Sequence, residues 1–297
     1  MKITYTILLV FFMSNAFSQD QVKATQLIPY RNGNLWGYAD NNKRIIIPPK
    51  FSQASVFGYL TNCCYHSDLA KVKFGTKFYL LDNKGKLIDE RKVLKDDGSE
   101  DSPPQRDENI FTDSLDTDGS VINNGQLVIP STQYQQIEIK PGYNRYFVVT
   151  KNDKKGIIDR NDHIVIPSKY ESADYLILNE YYDSSANKMI TPYHFLVRET
   201  GDSVYYFTDK EGNKSSKIYF SKYKVLLNFI AFQQINSEGI ALWGLMNRNL
   251  VVVVQPKYMD IIKEEDYDLF LVIPFNSQTK SKSLPGYINE KGVEFFK

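Results

Sequence analysis

The sequence predicts an all-β protein built as a tandem array of about seven β-meander or hairpin units of about 42 residues each. One short pattern recurs along the chain, and Asn, Asp and Gly separate its apolar runs. The composition, with 21 Tyr and 18 Phe, favours pleated, half-buried strands over helices. Seven units of this length match a seven-bladed propeller, and an open or spiral array is the alternative.

The repeat is clearest in three segments. Each has a bulky residue, Gly, two apolar residues, a turn, a β-branched run, Pro, and then Lys and an aromatic residue. They read LWGYADNNKRIIIPPKF at 35–51, KGIIDRNDHIVIPSKY at 155–170 and LWGLMNRNLVVVVQPKY at 242–258. Weaker copies begin at Phe78, Ser120, Tyr205 and Pro285.

An Asp or Asn residue, here called the anchor, marks the turn of every copy. The anchors are Asp40, Asp82, Asn123, Asp159, Asp209, Asn247 and Asn289. Apolar residues precede each anchor, and turn-forming residues follow it. This pattern is typical of a β-hairpin, because Asn, Asp and Gly accept positive φ angles and bond to nearby backbone. The sequence therefore predicts a hairpin at each anchor.

A glycine lies three residues before four of the anchors. These glycines are Gly37, Gly156, Gly244 and Gly286. Glycine weakens a strand interior, so we expect a neighbouring aromatic ring or backbone to lie over each missing side chain.

A proline and then an aromatic residue close four of the copies. The prolines are Pro48, Pro130, Pro167 and Pro256, and the aromatic residues are Phe51, Tyr134, Tyr170 and Tyr258. Proline cannot donate to a ladder, so we expect it to end its strand or to lie at an edge. The aromatic residue is expected to pack between neighbouring units.

A further extended stretch precedes most hairpins, as at 146–149, 195–197 and 269–272. The predicted unit is a three-stranded meander, with or without a fourth strand after the proline. One such unit cannot bury its apolar face alone, whereas stacked neighbours can cover it.

The motif W-G-Y-x-D followed by I-I-I-P-x-K-F, from Trp36 to Phe51, resembles the WG-repeat family of bacterial proteins. It returns at Trp243, and the resemblance covers most of the mature chain. In the remaining copies Phe78, Lys155, Tyr205 or Pro285 replaces Trp. The resemblance implies an exported or surface-associated repeat protein that serves as a binding or interaction scaffold. It implies no catalytic residues.

The first 18 residues predict a secretory signal peptide. Lys2 precedes an apolar run at 3–13, and a short polar stretch ends at Ala16, Phe17 and Ser18. The apolar run is too short to cross a bilayer, which needs about 20 helical residues. We expect cleavage after Ser18, a mature repeat domain at 19–297 without a membrane span, and delivery to the periplasm, the cell surface or the medium. An uncleaved interfacial anchor is the alternative.

Charge and cysteine content narrow the function classes. Removing residues 1–18 takes away Lys2 and no acid, so the 36 basic residues fall to equal the 35 acidic ones. A nucleic-acid binder usually carries clustered excess Lys and Arg, so nucleic acid is not an expected partner. The adjacent cysteines Cys63 and Cys64 are more typical of two thiols than of a disulfide framework.

Two segments interrupt the repeat. Residues 96–119 are acidic and contain Pro103 and Pro104, which predicts a solvated loop insertion. A calcium loop around Asp116 and Asp118 is the alternative, although the spacing of its carboxylates departs from the known motif. Residues 180–192 lengthen the fourth interval and predict a long surface loop, where recognition tends to reside.

No motif in the sequence nominates a catalytic site. The histidines His66, His163 and His194 fit no metal-ligand spacing, and the nucleophile-elbow, phosphate-loop and dinucleotide motifs are missing. We therefore expect no metal or other cofactor. Aromatic residues such as Tyr65, Tyr181 and Tyr182 offer faces that could stack on sugar rings in a groove.

The sequence predicts a non-catalytic binding or scaffold protein outside the cytoplasm, with a protein or a cell-envelope glycan as its ligand. A hydrolase with a site built from loops at one end of the array is the alternative. A structural spacer in a surface complex is the third possibility.

Overall fold

The computed structural model describes residues 27–60, 65–93, 113–123, 126–140, 145–264 and 267–297. The regular structure of the described chain is antiparallel β-sheet, apart from one short helix, α1 (Glu90–Val93), and one 3-10 turn (Ser131–Gln133). The predicted all-β class is confirmed. The signal segment at 1–18, most of the acidic segment at 96–119, and both cysteines lie outside the described residues.

The strands fall into seven units along the chain. Unit one has β1 (Ile28–Asn32), β2 (Leu35–Ala39) and β3 (Ile45–Phe51). Unit two has β4 (Gln53–Leu60), β5 (Tyr65–Phe74), β6 (Lys77–Asp82) and β7 (Leu87–Ile88). Unit three has β8 (Asp113–Leu115), β9 (Val121–Asn123) and β10 (Gln126–Ile129). Unit four has β11 (Gln136–Glu138), β12 (Tyr146–Lys151), β13 (Lys154–Asp159) and β14 (Ile164–Tyr170).

Units five to seven carry the remaining strands. Unit five begins with β15 (Ser172–Ile177), followed by an inserted hairpin of β16 (Tyr181–Asp183) and β17 (Lys188–Ile190). It continues with β18 (Tyr193–Arg198), β19 (Tyr205–Thr208) and β20 (Lys214–Phe220). Unit six has β21 (Lys222–Leu226), β22 (Phe229–Ile235), β23 (Ala241–Asn247) and β24 (Val252–Lys263). Unit seven shares the end of β24 and adds β25 (Leu269–Asn276), β26 (Ser281–Lys282) and β27 (Gly286–Asn289).

The units are antiparallel meanders in which consecutive strands pair, except that β15 pairs with β18 across the inserted hairpin and β27 pairs with β25. Units two and four, and unit five apart from its inserted hairpin, have four strands, so the fourth strand left open by the sequence is present there. In unit four, Val148 of β12 pairs with Ile157 of β13, which pairs with Ile166 of β14. The apolar positions of successive strands therefore align in register.

The hydrophobic core is divided into clusters that lie between neighbouring units, and one of them joins units one and two to Leu269, Tyr287 and Phe295 of unit seven. Alternate residues of β22 point to opposite sides of the sheet: Phe229 and Ala231 belong to the cluster shared with unit seven, whereas Ile230 and Phe232 belong to the cluster shared with unit five. Successive strand side chains point to opposite faces, so a sheet covered on both faces needs a continuous apolar run. Neighbouring units therefore bury the apolar side chains that a single unit would leave exposed.

The prolines of the repeat lie inside strands and not at strand ends, except Pro130, which follows β10. Pro48 and Pro167 lie in the edge strands β3 and β14, as expected. Pro256 lies in the first part of β24, which pairs with β23 alone because the pairing with β25 begins at Tyr258, so it is also at an edge. A β-bulge accommodates it there. The pairing shifts from Trp243↔Tyr258 to Leu245↔Val254 across it, and a bulged residue need not donate to the ladder.

Among the described residues the array is open, because its sheets do not join into a closed barrel. The structure therefore fits the open-array alternative and not a closed propeller. Unit one has three described strands, and no strand of it pairs in a ladder with a strand of unit seven among the described residues. The ends nevertheless contact each other. The Arg31 N–H donates to the Phe295 carbonyl oxygen at 3.0 Å, and the Lys297 N–H donates to the Arg31 carbonyl oxygen at 3.0 Å.

Candidate functional site

A polar cavity of about 400 Å³ lies at the junction of units six and seven, and we call it the junction cavity. Its size is within the range of small-molecule binding sites. Its lining residues are Asn228, Phe229, Asn247, Arg248, Asn249, Val253, Asp268, Glu290 and Lys291.

Two equivalent anchor turns build most of this cavity. Asn247 Oδ1 accepts the backbone N–H groups of Asn249 and Val251 at 3.0 and 3.1 Å. Asn289 Oδ1 accepts those of Lys291 and Val293 at 3.0 and 2.9 Å. These bonds fix the backbone of both turns, because a short polar side chain that bonds two and four residues ahead replaces missing ladder bonds. The residues after each anchor thus project from a fixed frame.

A strained turn forms another part of the wall. Leu227, between β21 and β22, has a φ of 58°, which places a branched side chain in the left-handed region. The next residue, Asn228, lines the cavity, and its Oδ1 is shielded from solvent without a hydrogen-bond partner among the described residues. Strained backbone and unsatisfied buried acceptors are both unfavourable, and both concentrate at functional sites.

Unit five holds Arg248 in place from the side. The Arg248 guanidinium lies 4.4 Å from the ring centroid of Tyr181, in the inserted hairpin, within cation–π range. The His194 Nε2–H donates to the Arg248 carbonyl oxygen at 2.7 Å. Burial lowers the pKa of His194, although the bond to that carbonyl opposes the shift. The neutral imidazole therefore orients the Arg248 backbone at neutral pH.

The charges that line the junction cavity balance. Arg248 and Lys291 are basic, and Asp268 and Glu290 are acidic. The Glu290 backbone N–H donates to the Asp268 carbonyl oxygen at 3.1 Å, which ties the two acidic positions together. Because amide, carboxylate and cationic groups share one wall, the cavity offers hydrogen-bond donors and acceptors without a net charge.

Two further cavities lie beside the two tryptophans of the repeat. One of about 370 Å³ borders Trp36, and one of about 390 Å³ borders Trp243. Both indole rings are largely buried, with 9 % and 7 % of each residue exposed. The Lys224 ammonium near Trp243 is already paired with Asp260 at 2.6 Å. The tryptophans therefore belong to the hydrophobic core, and their rings are not free to bind a ligand in these cavities.

The structure distributes the repeat positions over the units and does not gather them into one site. The aromatic residue after each proline reaches the next unit: Phe51 packs edge-on to Phe74, the Tyr134 hydroxyl donates to Asp162, and the Tyr258 hydroxyl donates to Glu294. Trp36 packs edge-on to Tyr287 of unit seven, and Tyr170 lies in a core cluster with Tyr175 and Tyr206 of unit five. The other repeat positions lie in the strands and turns of their own units, and they are Gly37, Asp40, Pro48, Gly156, Asp159, Pro167, Trp243, Gly244, Pro256, Gly286 and Asn289. Asn247 alone among the singled-out positions lines the junction cavity.

Other residues singled out in the sequence lie in ordinary surroundings. His163 is exposed in its turn and lies 3.2 Å from the Asp159 carboxylate. Asp116 and Asp118 accept backbone N–H groups of their own turn. Among the described residues, no three His, Cys, Asp or Glu side chains are placed to hold a metal ion. The interruption at 180–192 is a short β-hairpin with Tyr181 beside the junction cavity.

Sequence reasoning missed most of the cavity. Arg248, Asn249, Glu290 and Lys291 directly follow two anchors, so equivalent turn positions in neighbouring units could have nominated them. Val253 lies in the β-branched run of the repeat, whereas Asn228 and Asp268 occupy no repeated position. Only the packing of unit six against unit seven places them at the cavity.

Comparison with known proteins supports the repeat. The model of the WG containing repeat matches residues 36–59, which include Trp36 and Gly37. A search of curated proteins gave no match. The chain is similar to a solved eukaryotic initiation factor at 9% identity and a TM-score of 0.29, covering 91% of this chain and 94% of that one.

A second similar structure is KlHsv2 with loop 6CD replaced by a Gly-Ser linker. It has 9% identity and a TM-score of 0.22, covering 84% of this chain and 75% of that one. Neither structural likeness is strong enough to support an inference. No helix in the described ranges has the length and apolar character to cross a membrane.

Proposed function

We propose that this protein, which carries the WG containing repeat, is an exported, non-catalytic scaffold that binds its ligand at the junction cavity. The ligand class is a protein or a cell-envelope glycan. The observation that carries the proposal is the convergence of two anchor turns, the strained Leu227 turn and the inserted hairpin on one polar cavity.

Rigid support around the cavity favours binding. The two anchor turns are fixed by paired hydrogen bonds, and Arg248 is held by both Tyr181 and His194. Side chains held by a surrounding shell lose little freedom when a ligand arrives, so more of the interaction energy becomes affinity. The inserted hairpin contributes the Tyr181 ring that packs on the Arg248 guanidinium.

Export rests on the signal segment at 1–18. Expression of the full chain in its own host, followed by fractionation and N-terminal sequencing of the product, tests it. We expect the mature protein outside the cytoplasm, beginning at Gln19. A product that keeps Met1 and remains in the cytoplasm would overturn the export part of the proposal.

The binding part is tested with the mature protein in a pull-down from envelope extracts and on a glycan array. A double variant, Arg248→Met with Lys291→Ala, removes both cations of the junction cavity. Lys84→Ala is the matched control, because Lys84 and Lys291 occupy the same position after their anchors, Asp82 and Asn289. We expect a ligand that the wild type and the control retain and the double variant loses.

The hydrolase alternative is separated by activity. Asp268 and Glu290 are the carboxylates that line the cavity. Purified protein is assayed against esters, glycosides and peptides. Turnover that disappears in Asp268→Asn or Glu290→Gln would replace the scaffold proposal with an enzyme.

A further inference from the structure

We propose that the junction cavity takes a neutral saccharide, an inference that rests on the binding function proposed above and names its ligand class. A saccharide presents hydroxyl groups, each of which donates one hydrogen bond and accepts others. The wall of the cavity offers the complementary mixture.

The first argument is the charge balance of the wall. Arg248, Lys291, Asp268 and Glu290 line one cavity, so an ion of either sign meets repulsion as well as attraction. A site for a phosphate or an acidic peptide needs an excess of cations, because charge-assisted bonds supply most of its affinity. A ligand without net charge avoids this penalty.

The second argument is the set of amides. Asn228, Asn247 and Asn249 all line the cavity, and Asn247 commits its oxygen to its own turn. Its amide NH₂ group is then oriented by that turn as a donor. Asn228 supplies a hydrogen-bond acceptor, because its Oδ1 has no donor among the described residues. A rotation of this amide towards the cavity lets a ligand O–H satisfy it, which removes the desolvation penalty of a lone acceptor.

The third argument is the apolar floor. Phe229 and Val253 line the cavity among its polar residues. The C–H faces of a sugar ring are apolar and its edges carry hydroxyl groups, so it needs an apolar surface bounded by hydrogen-bonding groups. Small-molecule sites combine these two features in the same way.

The test is calorimetry on the mature protein with four probes: chitotetraose, maltotetraose, tetra-alanine and tetraglutamate. We expect one of the neutral oligosaccharides to bind, with a dissociation constant that changes less than twofold between 50 and 500 mM salt, since screening acts on charges. Lys291→Ala should weaken binding about tenfold, the loss of one hydrogen bond to a charged donor. Lys84→Ala, the matched control, should change it less than twofold.

Arg248→Met is a second variant, and its folding is checked by circular dichroism. Should it fail to fold, Asn249→Ala in the same exposed turn takes its place and should also weaken binding several-fold. Binding of tetra-alanine or tetraglutamate that Lys291→Ala weakens would overturn the saccharide inference while leaving a binding site at the cavity. Oligosaccharide binding that Lys291→Ala leaves unchanged would overturn both the ligand class at this site and the site itself. Failure of both oligosaccharides to bind would also overturn the inference, and the envelope pull-down would still decide the broader proposal.

Discussion

Four strand glycines stand where no side chain fits. A Cβ at Gly156 would lie 2.6 Å from the Ile166 carbonyl oxygen, and one at Gly244 would lie 2.7 Å from that of Val254. At Gly37 it would meet the backbone of β3, and at Gly286 the ring of Phe296. In the first three cases the opposing backbone is the bulge that contains the repeat's proline. In these copies the missing side chain of the glycine therefore leaves room for the bulge that contains the proline.

Gly244→Ala should destabilise the protein by about 3 kcal/mol, because the opposing backbone must shift to relieve the overpacking. Gly239→Ala is the matched control: its φ is 76°, and nothing lies within 4 Å of its Cβ position, so only the left-handed backbone penalty of about 1 kcal/mol applies. Urea unfolding of the two variants and the wild type measures both. Equal losses would contradict the role assigned to the bulge.

Glu294 should make the stability of unit seven sensitive to acid. Burial opposes ionisation, but hydrogen bonds from Lys257 and Tyr258, both at 2.7 Å, outweigh it and lower the pKa of Glu294. A depressed carboxyl pKa gives stability that is present above the unfolded-state value, about 4.3, and is lost as pH falls through the native value.

Urea midpoints measured between pH 7 and pH 3 test this dependence. The wild type should lose stability below about pH 4.3 more steeply than Glu294→Gln, which cannot ionise and should be less stable at pH 7. Parallel pH profiles for the two proteins would show that Glu294 contributes no such linkage.

Residue roles could be predicted from the sequence only where they repeat. The strand glycines and the anchors recur, and comparison of the copies was enough to assign them structural roles. His194 and Asn228 recur nowhere. Their roles depend on Arg248 and on the neighbouring unit, which no local pattern encodes.

At the scale of the element, the anchor turns share one geometry. Six anchors each accept two backbone N–H groups, from the residues two and four positions ahead. The residue three positions ahead has a positive φ. Glycine fills it as Gly85, Gly212 and Gly292, and other residues fill it as Lys43, Asp162 and Leu250. The turn thus keeps its geometry even where glycine, the residue that best accepts a positive φ, is replaced.

Lys43→Gly should stabilise the protein by about 1 kcal/mol, since it relieves a left-handed side chain at φ 64° on an exposed turn. Gly85→Ala, at the same turn position in unit two, should have the opposite effect of similar size, because only ordinary contacts surround its Cβ position. Thermal unfolding of both variants measures the pair. A Lys43→Gly protein that is less stable than the wild type would contradict this account.

Strand positions were easier to predict than strand surroundings. The apolar runs at 146–149 and 269–272 predicted strands, and both are strands. Periodicity could not show that both faces of these sheets are covered, because a continuous apolar run fits a buried strand of any topology. The bulge at Pro256 was also missed, since its cause lies on the neighbouring strand at Gly244.

At the scale of the whole molecule, the repeat period predicted the units and their stacking. It did not predict whether the first and last units pair. Seven units suggested closure, and the described array stays open. Closure depends on a ladder between the first and last units, and backbone pairing there is confined to Arg31 with 295–297 among the described residues. A repeat length carries no information about that pairing.

Arg31 joins the two ends through its side chain as well as its backbone. Its guanidinium donates to the carbonyl oxygens of Pro285 at 2.7 Å and Leu284 at 3.2 Å, and it lies 5.5 Å from the ring centroid of Phe296. Only 6 % of the residue is exposed, and burial lowers the pKa of the guanidinium. Replacing it leaves those carbonyls without their donor, which should cost about 3 kcal/mol.

Hydrogen–deuterium exchange of Arg31→Met tests most directly whether units depend on the neighbours that cover them, including the first unit on the last. The variant should lose protection in β1 and β27 together while β12 and β13, in unit four, stay protected, and Arg44→Met on an exposed turn should change neither end. Loss confined to β1, with β27 as protected as in the wild type, would contradict the account.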